Sequence, residues 1–369
     1  MILSKSIKGI FDNLIQYIII YLLLISTVLG GTIFDKLQIF IEGAAMFLLF
    51  VSILRKKLFS SDFIFLTVFF LASTASFIMN DFLAFAINFK IYGLCILTFI
   101  NFKNTIFYPR TLIFSCILIN AGLIIYQFFT GFFIIPSGWF LSYYQGYTNG
   151  RPLGLFLTPH SSSFFLYIYL IFLINTSKNS FKKYLILITS VFTQSYTSMI
   201  SFLFQWFNYV SKKVKIIKKI IPGNFSLIII IILLISIYFS LELFIDTLQE
   251  TGGGVTRFFS AKSILEQLFE PEYYKVLYKN FYPIRYSDYF DVSGTNIDSL
   301  ASEVGFIKVV VEGGNILGIL TLYFLIKKLK MFRIFMIVSL MHYTHFITAP
   351  FFLYLMLYYN NTTYLVKQH

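Results

Sequence analysis

Apolar runs long enough to cross a bilayer, parted by brief polar turns, recur along almost the whole chain. This rhythm limits the fold more than any motif does. A helix needs about twenty apolar residues to span a ~30 Å hydrocarbon core. Backbone polar groups in that medium have to be met within the segment, which leaves the helix as the natural spanning element. With 58% hydrophobic and only 12% charged residues, the composition falls outside the range of soluble globules, whose charged share is nearer a quarter. The sequence therefore predicts an all-α, polytopic membrane helical bundle, a single integral membrane domain over residues 1–369.

The crossings are expected at Leu14–Ile33, Leu37–Leu54, Phe63–Met79, Phe82–Ile100 and Thr111–Phe129, then Ser163–Asn175, Leu227–Phe244 and Phe306–Ile326. Two further stretches decide the count. Tyr184–Val210 has lysines on both flanks, so a single crossing would put like-charged loops on opposite sides. Its polar break Thr193-Gln-Ser-Tyr-Thr-Ser198 predicts two short helices meeting at or below the outer surface. A break of that kind is tolerated where the backbone is buried in protein or lines a wet cavity. The last run, Ile334–Tyr359, carries Met341-His-Tyr-Thr-His-Phe-Ile-Thr-Ala-Pro350 at its centre. Read as two helices it gives about twelve crossings; read as one kinked helix it gives eleven.

The net charge of +13 raises the question of nucleic acid, and the placement of the charge answers it. Basic residues cluster between apolar runs, at Arg55-Lys56-Lys57, Lys178 with Lys182 and Lys183, Lys212 to Lys219, and Lys327 to Arg333. With Lys5, Lys8, Lys103, Arg110 and Lys367, one side of the predicted bundle holds 20 of the 29 basic residues and only Asp12 and Asp62 of the 16 acidic ones. That is the positive-inside pattern of cytoplasmic loops, and no nucleic-acid partner is expected. Glu42 and Lys90 fall within crossings, where a charge is costly and is functional, structural or reaching for the headgroups. Cys95 and Cys116 sit in apolar runs as small buried hydrophobes. The first run has a lysine-bearing flank but exceeds a signal h-region and lacks a small-residue cleavage site, so it reads as a membrane helix.

Two outside loops interrupt the pattern, 130–162 and 245–303. The second gathers much of the chain's acidity. Gly252-Gly-Gly254 opens it, and Phe258, Ile264, Leu265, Leu268 and Phe269 are spaced for an amphipathic surface helix that Pro271 ends. Arg285, Asp288, Asp291 and Asp298 then appear among Tyr282, Tyr286, Tyr289 and Phe290. Flat aromatic rings stack on the C–H faces of pyranoses, and carboxylates accept hydroxyl protons, so this composition suits a sugar. Arginine binds phosphate through paired hydrogen bonds, and the outside loops offer Arg151, Arg257 and Arg285. Were the sugar to hang from a lipid pyrophosphate, these three would form the clamp. There is no Walker sequence, HExxH, GxSxG or Cys/His cluster of metal spacing, so no cofactor and no metal is expected.

Two segments are similar to the bacterial O-antigen ligase and polymerase superfamily. Arg151-Pro-Leu-Gly154-Leu-Phe156-Leu-Thr-Pro159-His160 resembles the pattern Arg-x-x-Gly-x-Phe-x-x-Pro-Asn, with His160 in the asparagine's place. Glu303 to Gly318 resembles His-Asn-x-Tyr-Leu-x-x-Leu-x-Glu-x-Gly. Phe306, Ile307, Val310, Glu312 and Gly314 fall in register there, and Glu303 stands where the histidine would be. The polar turn at Ser195 looks like the family's Ser-Arg turn, with Tyr196 replacing the arginine.

The resemblance implies a glycosyltransferase of the O-antigen (Wzy-like) polymerase kind in surface-polysaccharide or lipopolysaccharide biosynthesis. It would sit in the bacterial inner, cytoplasmic membrane with its site facing the periplasm or exterior. Its expected partners are an undecaprenyl pyrophosphate-linked oligosaccharide, membrane lipid, a chain-length regulator and a flippase. It would transfer a growing glycan from undecaprenyl pyrophosphate to the terminal sugar of a newly flipped lipid-linked repeat unit. Arg151, Arg257 and Arg285 are then expected at the pyrophosphate, Glu303 at the attacking hydroxyl with Asp298 as its reserve, and Tyr282, Tyr286 and Tyr289 at the sugars, with His160 and Lys308 nearby. Loss of the ligase histidine favours polymerase over the second reading, an O-antigen ligase. A flippase or other transporter would have the same length but short loops and a polar midplane, and the loop 245–303 speaks against it.

Overall fold

The computed structural model describes residues 2–29, 33–55, 58–79, 82–102, 110–133, 151–156, 159–176, 180–213 and 332–340. Among these the structure is helical and contains no strand. The helices are α1 (Ile2–Leu29), α2 (Asp35–Leu54), α3 (Ser60–Met79), α4 (Phe82–Phe102), α5 (Arg110–Thr130), α6 (Pro159–Thr176), α7 (Ser180–Phe192), α8 (Tyr196–Lys213) and α9 (Arg333–Leu340). Two segments, Asp12–Leu29 of α1 and Lys36–Leu54 of α2, are long and apolar enough to cross a membrane. Of the described residues, those up to Leu66 and from Phe89 to Phe202 belong to one compact unit, and Thr67–Asn88 with those from Leu203 onward to a second.

In the first unit α1 packs on α2. Their buried sides carry Ile15, Ile19, Ile20, Leu23 and Leu24 on α1 and Ala45, Leu49 and Ile53 on α2, spaced at helical three- and four-residue intervals. The outward sides are apolar too: Leu14, Ile18, Ile25, Leu37 and Phe47 are exposed, and Phe40 is 76% exposed. Asp12, about three turns into α1, lies 3.5 Å from Arg55, just past the end of α2. That joins two charges the sequence places on one side.

α4 is tied to α2 at two levels. Lys90 Nζ is 2.6 Å from Glu42 Oε2, although that oxygen makes no directed hydrogen bond, so the tie is one of charge. Gln38 Nε2 donates to the other oxygen, Glu42 Oε1, at 2.7 Å. Farther along, Asn101 Nδ2 donates to the Leu49 carbonyl at 2.9 Å. The two charges expected within crossings are thus each other's partner, and the half-buried pair spares both the cost of an uncompensated charge.

The start of α3 explains the burial of Asp62, which is 6% exposed. The Phe59 amide donates to Asp62 Oδ2 at 3.3 Å while the Phe59 carbonyl accepts from Asp62 N at 2.9 Å. A carboxylate at the third helical position thus reaches back to an orphan amide, half of a capping box. In the second unit the first residues of α9 meet α8, where Phe335 N donates to Gln205 Oε1 at 3.1 Å. Phe332, Phe335 and Met336 are fully buried.

Candidate functional site

The remaining helices of the first unit converge on a polar end. α7 packs against α5 and α6. α5 stops because Gly131 takes a left-handed φ of +70° and its amide returns to the Gln127 carbonyl at 2.9 Å, a glycine termination that satisfies an orphan carbonyl. α6 begins at Pro159, four residues before the start expected from hydropathy. Proline suits the first helical position because its φ is already helical and its missing N–H has no intrahelical partner to lose there. The correction brings His160 into the first turn of α6, out of the loop 130–162.

The expected broken helix is present: α7 and α8 are separated by Thr193-Gln194-Ser195. At 13 residues, α7 rises only about 20 Å, short of a full bilayer core. Thr193 Oγ1 donates to the Ser190 carbonyl at 2.7 Å, and Gln194 N donates to the Val191 carbonyl at 2.9 Å with Gln194 itself at φ 53°. The Ser195 carbonyl accepts from Met199 N at 3.0 Å, so Ser195 stands at the N-cap position of α8. Phe192, the last residue of α7, stacks on Phe128 near the end of α5 with ring centroids 4.3 Å apart. At the other end of these two helices Lys182 Nζ lies 4.9 Å from the centroid of the Phe114 ring. Basic and polar turns thus occupy opposite ends of the α5–α7 pair.

The segment 151–156 lies on this polar end and is unusually buried for a loop. Pro152, Leu153, Gly154 and Phe156 are buried, and Phe156 packs edge-on to Phe165 of α6 at 5.2 Å. Buried backbone amides need acceptors, and two side chains of α5 supply them. Gln127 Oε1 accepts from both Leu153 N and Gly154 N at 2.8 Å. Asn120 Oδ1 accepts from Leu155 N at 2.7 Å and from Ser162 Oγ at 3.1 Å. The Ser162 hydroxyl also contacts the Leu153 carbonyl. Gly154 is at φ +65°, and a Cβ there would collide with Asn120 Oδ1, with Ser162 Oγ at 2.8 Å and with Ile124 Cγ1 at 2.9 Å. Only glycine allows both the left-handed turn and this approach. Three successive amides of this segment thus point into α5 and not toward a ligand.

From the first turn of α6, His160 Nδ1 lies 2.7 Å from Ser195 Oγ, which donates onward to Ser198 Oγ at 3.0 Å. This chain joins two motifs that lie 35 residues apart in sequence. Two turns deeper, Tyr167 of α6 stacks on Phe202 of α8 at 4.9 Å. His160, Ser163 and Tyr167 share a helical stripe, as do Ser195, Ser198 and Phe202, and the two contacts show that these stripes face one another. Ser163 Oγ and Tyr167 OH, both fully buried, have no hydrogen-bond partner among the described residues. Buried hydroxyls of this kind are commonly met by water or a ligand.

Of the residues the sequence singles out, the structure therefore sets Arg151 and His160 on one polar end, on a buried segment and a first helical turn that are bonded to the same helix face. Glu303, Asp298, Arg257, Arg285, Tyr282, Tyr286, Tyr289 and Lys308 lie outside the described residues. Asn120, Gln127, Ser162 and Ser198 hold the site together without having been expected to. Among the described residues no group of His, Cys, Asp and Glu has a metal-binding arrangement. No protein-family model, no curated protein and no solved structure matches this chain.

Proposed function

We propose that the chain is a polytopic membrane glycosyltransferase that polymerises lipid-linked repeat units of a surface polysaccharide on the outer face of a bacterial cytoplasmic membrane. The single observation that carries the reading is the chain of contacts joining the Arg151 segment, His160 and the Ser195 turn at one end of a helix group. The Arg151–His160 segment and the Ser195 turn are two separate motifs of the sequence, and their meeting is what a shared site requires. The apolar outer faces of α1 and α2 support a lipid surround, since a soluble monomer rarely exposes apolar patches of that extent. About twelve crossings with the basic loops inside would put the polar end outside.

The reaction asks little chemistry of the protein. The donor already carries its leaving group, undecaprenyl pyrophosphate, so no nucleotide is consumed. Catalysis needs cationic groups at the departing pyrophosphate and a base at the attacking sugar hydroxyl. Arg151 is assigned to the pyrophosphate, and the sequence reading adds Arg257 and Arg285. For the base the chain offers the carboxylates Glu303 and Asp298, and an imidazole, His160. Tyr282, Tyr286 and Tyr289 are assigned to the sugars.

Deletion in the host tests the reading. Loss of a polymerase leaves single repeats on the outer acceptor, and plasmid-borne wild-type chain restores the ladder. Long chains stranded on the lipid carrier would instead identify a ligase, and no lipid-linked material reaching the outer face would identify a flippase. Arg151→Ala is expected to return the deletion pattern by weakening the hold on pyrophosphate; a full-length ladder from that variant would remove Arg151 from the site.

A further inference from the structure

We propose that Gln127 is the positioning residue of Arg151: from α5 it fixes the backbone that aims the guanidinium at the leaving pyrophosphate, with Asn120 holding the same segment. The inference rests on the polymerase reading above, in which Arg151 meets the pyrophosphate, and deepens it. Gln127 is 4% exposed, and its Oε1 accepts from the amides of Leu153 and Gly154 at 2.8 Å each. Asn120, fully buried, accepts from the next amide, Leu155 N, at 2.7 Å. Three consecutive amides are thus anchored to one helix, beginning two residues beyond Arg151.

Little freedom is left between that anchor and Arg151. Pro152 stands between them, buried; its ring locks its own φ and holds the residue before it to extended backbone. The clasped Leu153 amide fixes the far side of the proline, so few torsions between α5 and the Arg151 backbone can turn. A glycine at φ +65° with open amides beside it can cradle an anion through its backbone. Here those amides are spent on α5, and the loop serves as a bracket. An apolar residue at 127 would fill similar space but set no register for the segment, since packing is only weakly directional. Placement matters because a charge already oriented toward the leaving group stabilises it without reorganisation. A displacement of about 1 Å caused by a change remote from the chemistry can cost about 10²-fold in rate.

The test is a double-mutant cycle on the full chain in proteoliposomes, with the lipid-linked oligosaccharide that accumulates in the deletion strain as substrate and rates taken per folded molecule. Arg151→Ala is expected to lower kcat/KM about 10²–10³-fold, and Gln127→Leu about 10²-fold. Because Gln127 acts through Arg151, adding Gln127→Leu to Arg151→Ala is expected to cost less than about threefold more, where independent effects would multiply. Should Gln127→Leu yield no folded chain, Gln127→Asn runs the same cycle. It keeps the amide but withdraws its oxygen by one methylene, and is expected to cost about tenfold. A Gln127 loss that persists undiminished in the Arg151→Ala background makes the residue merely structural and overturns the proposal. So does a wild-type kcat/KM in folded Gln127→Leu or Gln127→Asn. A wild-type rate in Arg151→Ala removes Arg151 from the reaction, and the proposal with it, while the polymerase reading stands. Failure of the wild-type chain to extend the oligosaccharide sinks the polymerase reading itself, an outcome seen before any variant is compared.

Discussion

The α1–α2 pair and the polar end shared by α5, α6, α7 and α8 belong to one compact unit, yet they are held together by different means. α1 and α2 bury aliphatic side chains against one another and leave equally apolar ones outside, with a long ion pair, Asp12 to Arg55, between them. The polar end is held by directed bonds, from Gln127 and Asn120 to three consecutive amides and from His160 through Ser195 to Ser198. Apolar packing is additive and weakly directional. It fixes a helix pair while accepting many side chains of similar size. A buried hydrogen-bond network is satisfied or it is not, and each missing partner leaves a desolvated group behind. The first region is scaffold by this measure, and the second specifies a shape.

The sharpest way to break the contrast is Gly154→Val. A side chain there meets Asn120, Ser162 and Ile124 at a backbone conformation valine rarely adopts. A loss of about 3–5 kcal/mol is expected, read as the unfolding midpoint of the detergent-solubilised chain, and a wild-type midpoint would mean the segment is not packed against α5. Next comes Gln127→Leu, which strands the Leu153 and Gly154 amides for a cost of about 2–4 kcal/mol, since each buried orphan costs ~1–3. Gln127→Glu, keeping the oxygens, is expected to recover part of that loss. Hydrogen exchange at the two amides would report the change directly, and unaltered protection in Gln127→Leu would contradict the bond assignments. The smallest effect is expected at Phe40→Leu, on the exposed face of α2. A change within about 0.5 kcal/mol is normal for a side chain left mostly exposed. A drop as large as that of Gln127→Leu would show that this face is covered and that the contrast drawn here is wrong.

The parts of this organisation that were legible in the sequence are those that charge and hydropathy encode. Lysines on both flanks of 184–210 required a reversal, and the turn falls at Thr193–Ser195 within the polar break. Alternating loop charge placed Asp12 and Arg55 on one side, and they pair. The same alternation puts Glu42 and Lys90 at similar depths from the ends of α2 and α4 that share a side, so their pairing could have been anticipated, although each was read singly. In the sequence Asn120 and Gln127 look like part of an apolar crossing. Their spacing of seven puts both on one helix face, the available signal, but their partners are main-chain amides, which leave no mark in the residue pattern. The start of α6 was misplaced because hydropathy reports where apolar residues begin, whereas Pro159 sets where the backbone does.

The double grip of Gln127 on Leu153 and Gly154 has a mechanical consequence. With Leu155 clasped by Asn120 two turns earlier on the same helix, the stretch following Arg151 cannot swing as a flap; it rides on α5 as cargo. Whatever opens or shuts this end of the molecule must then tilt or slide the whole α5 rod, carrying the guanidinium with it.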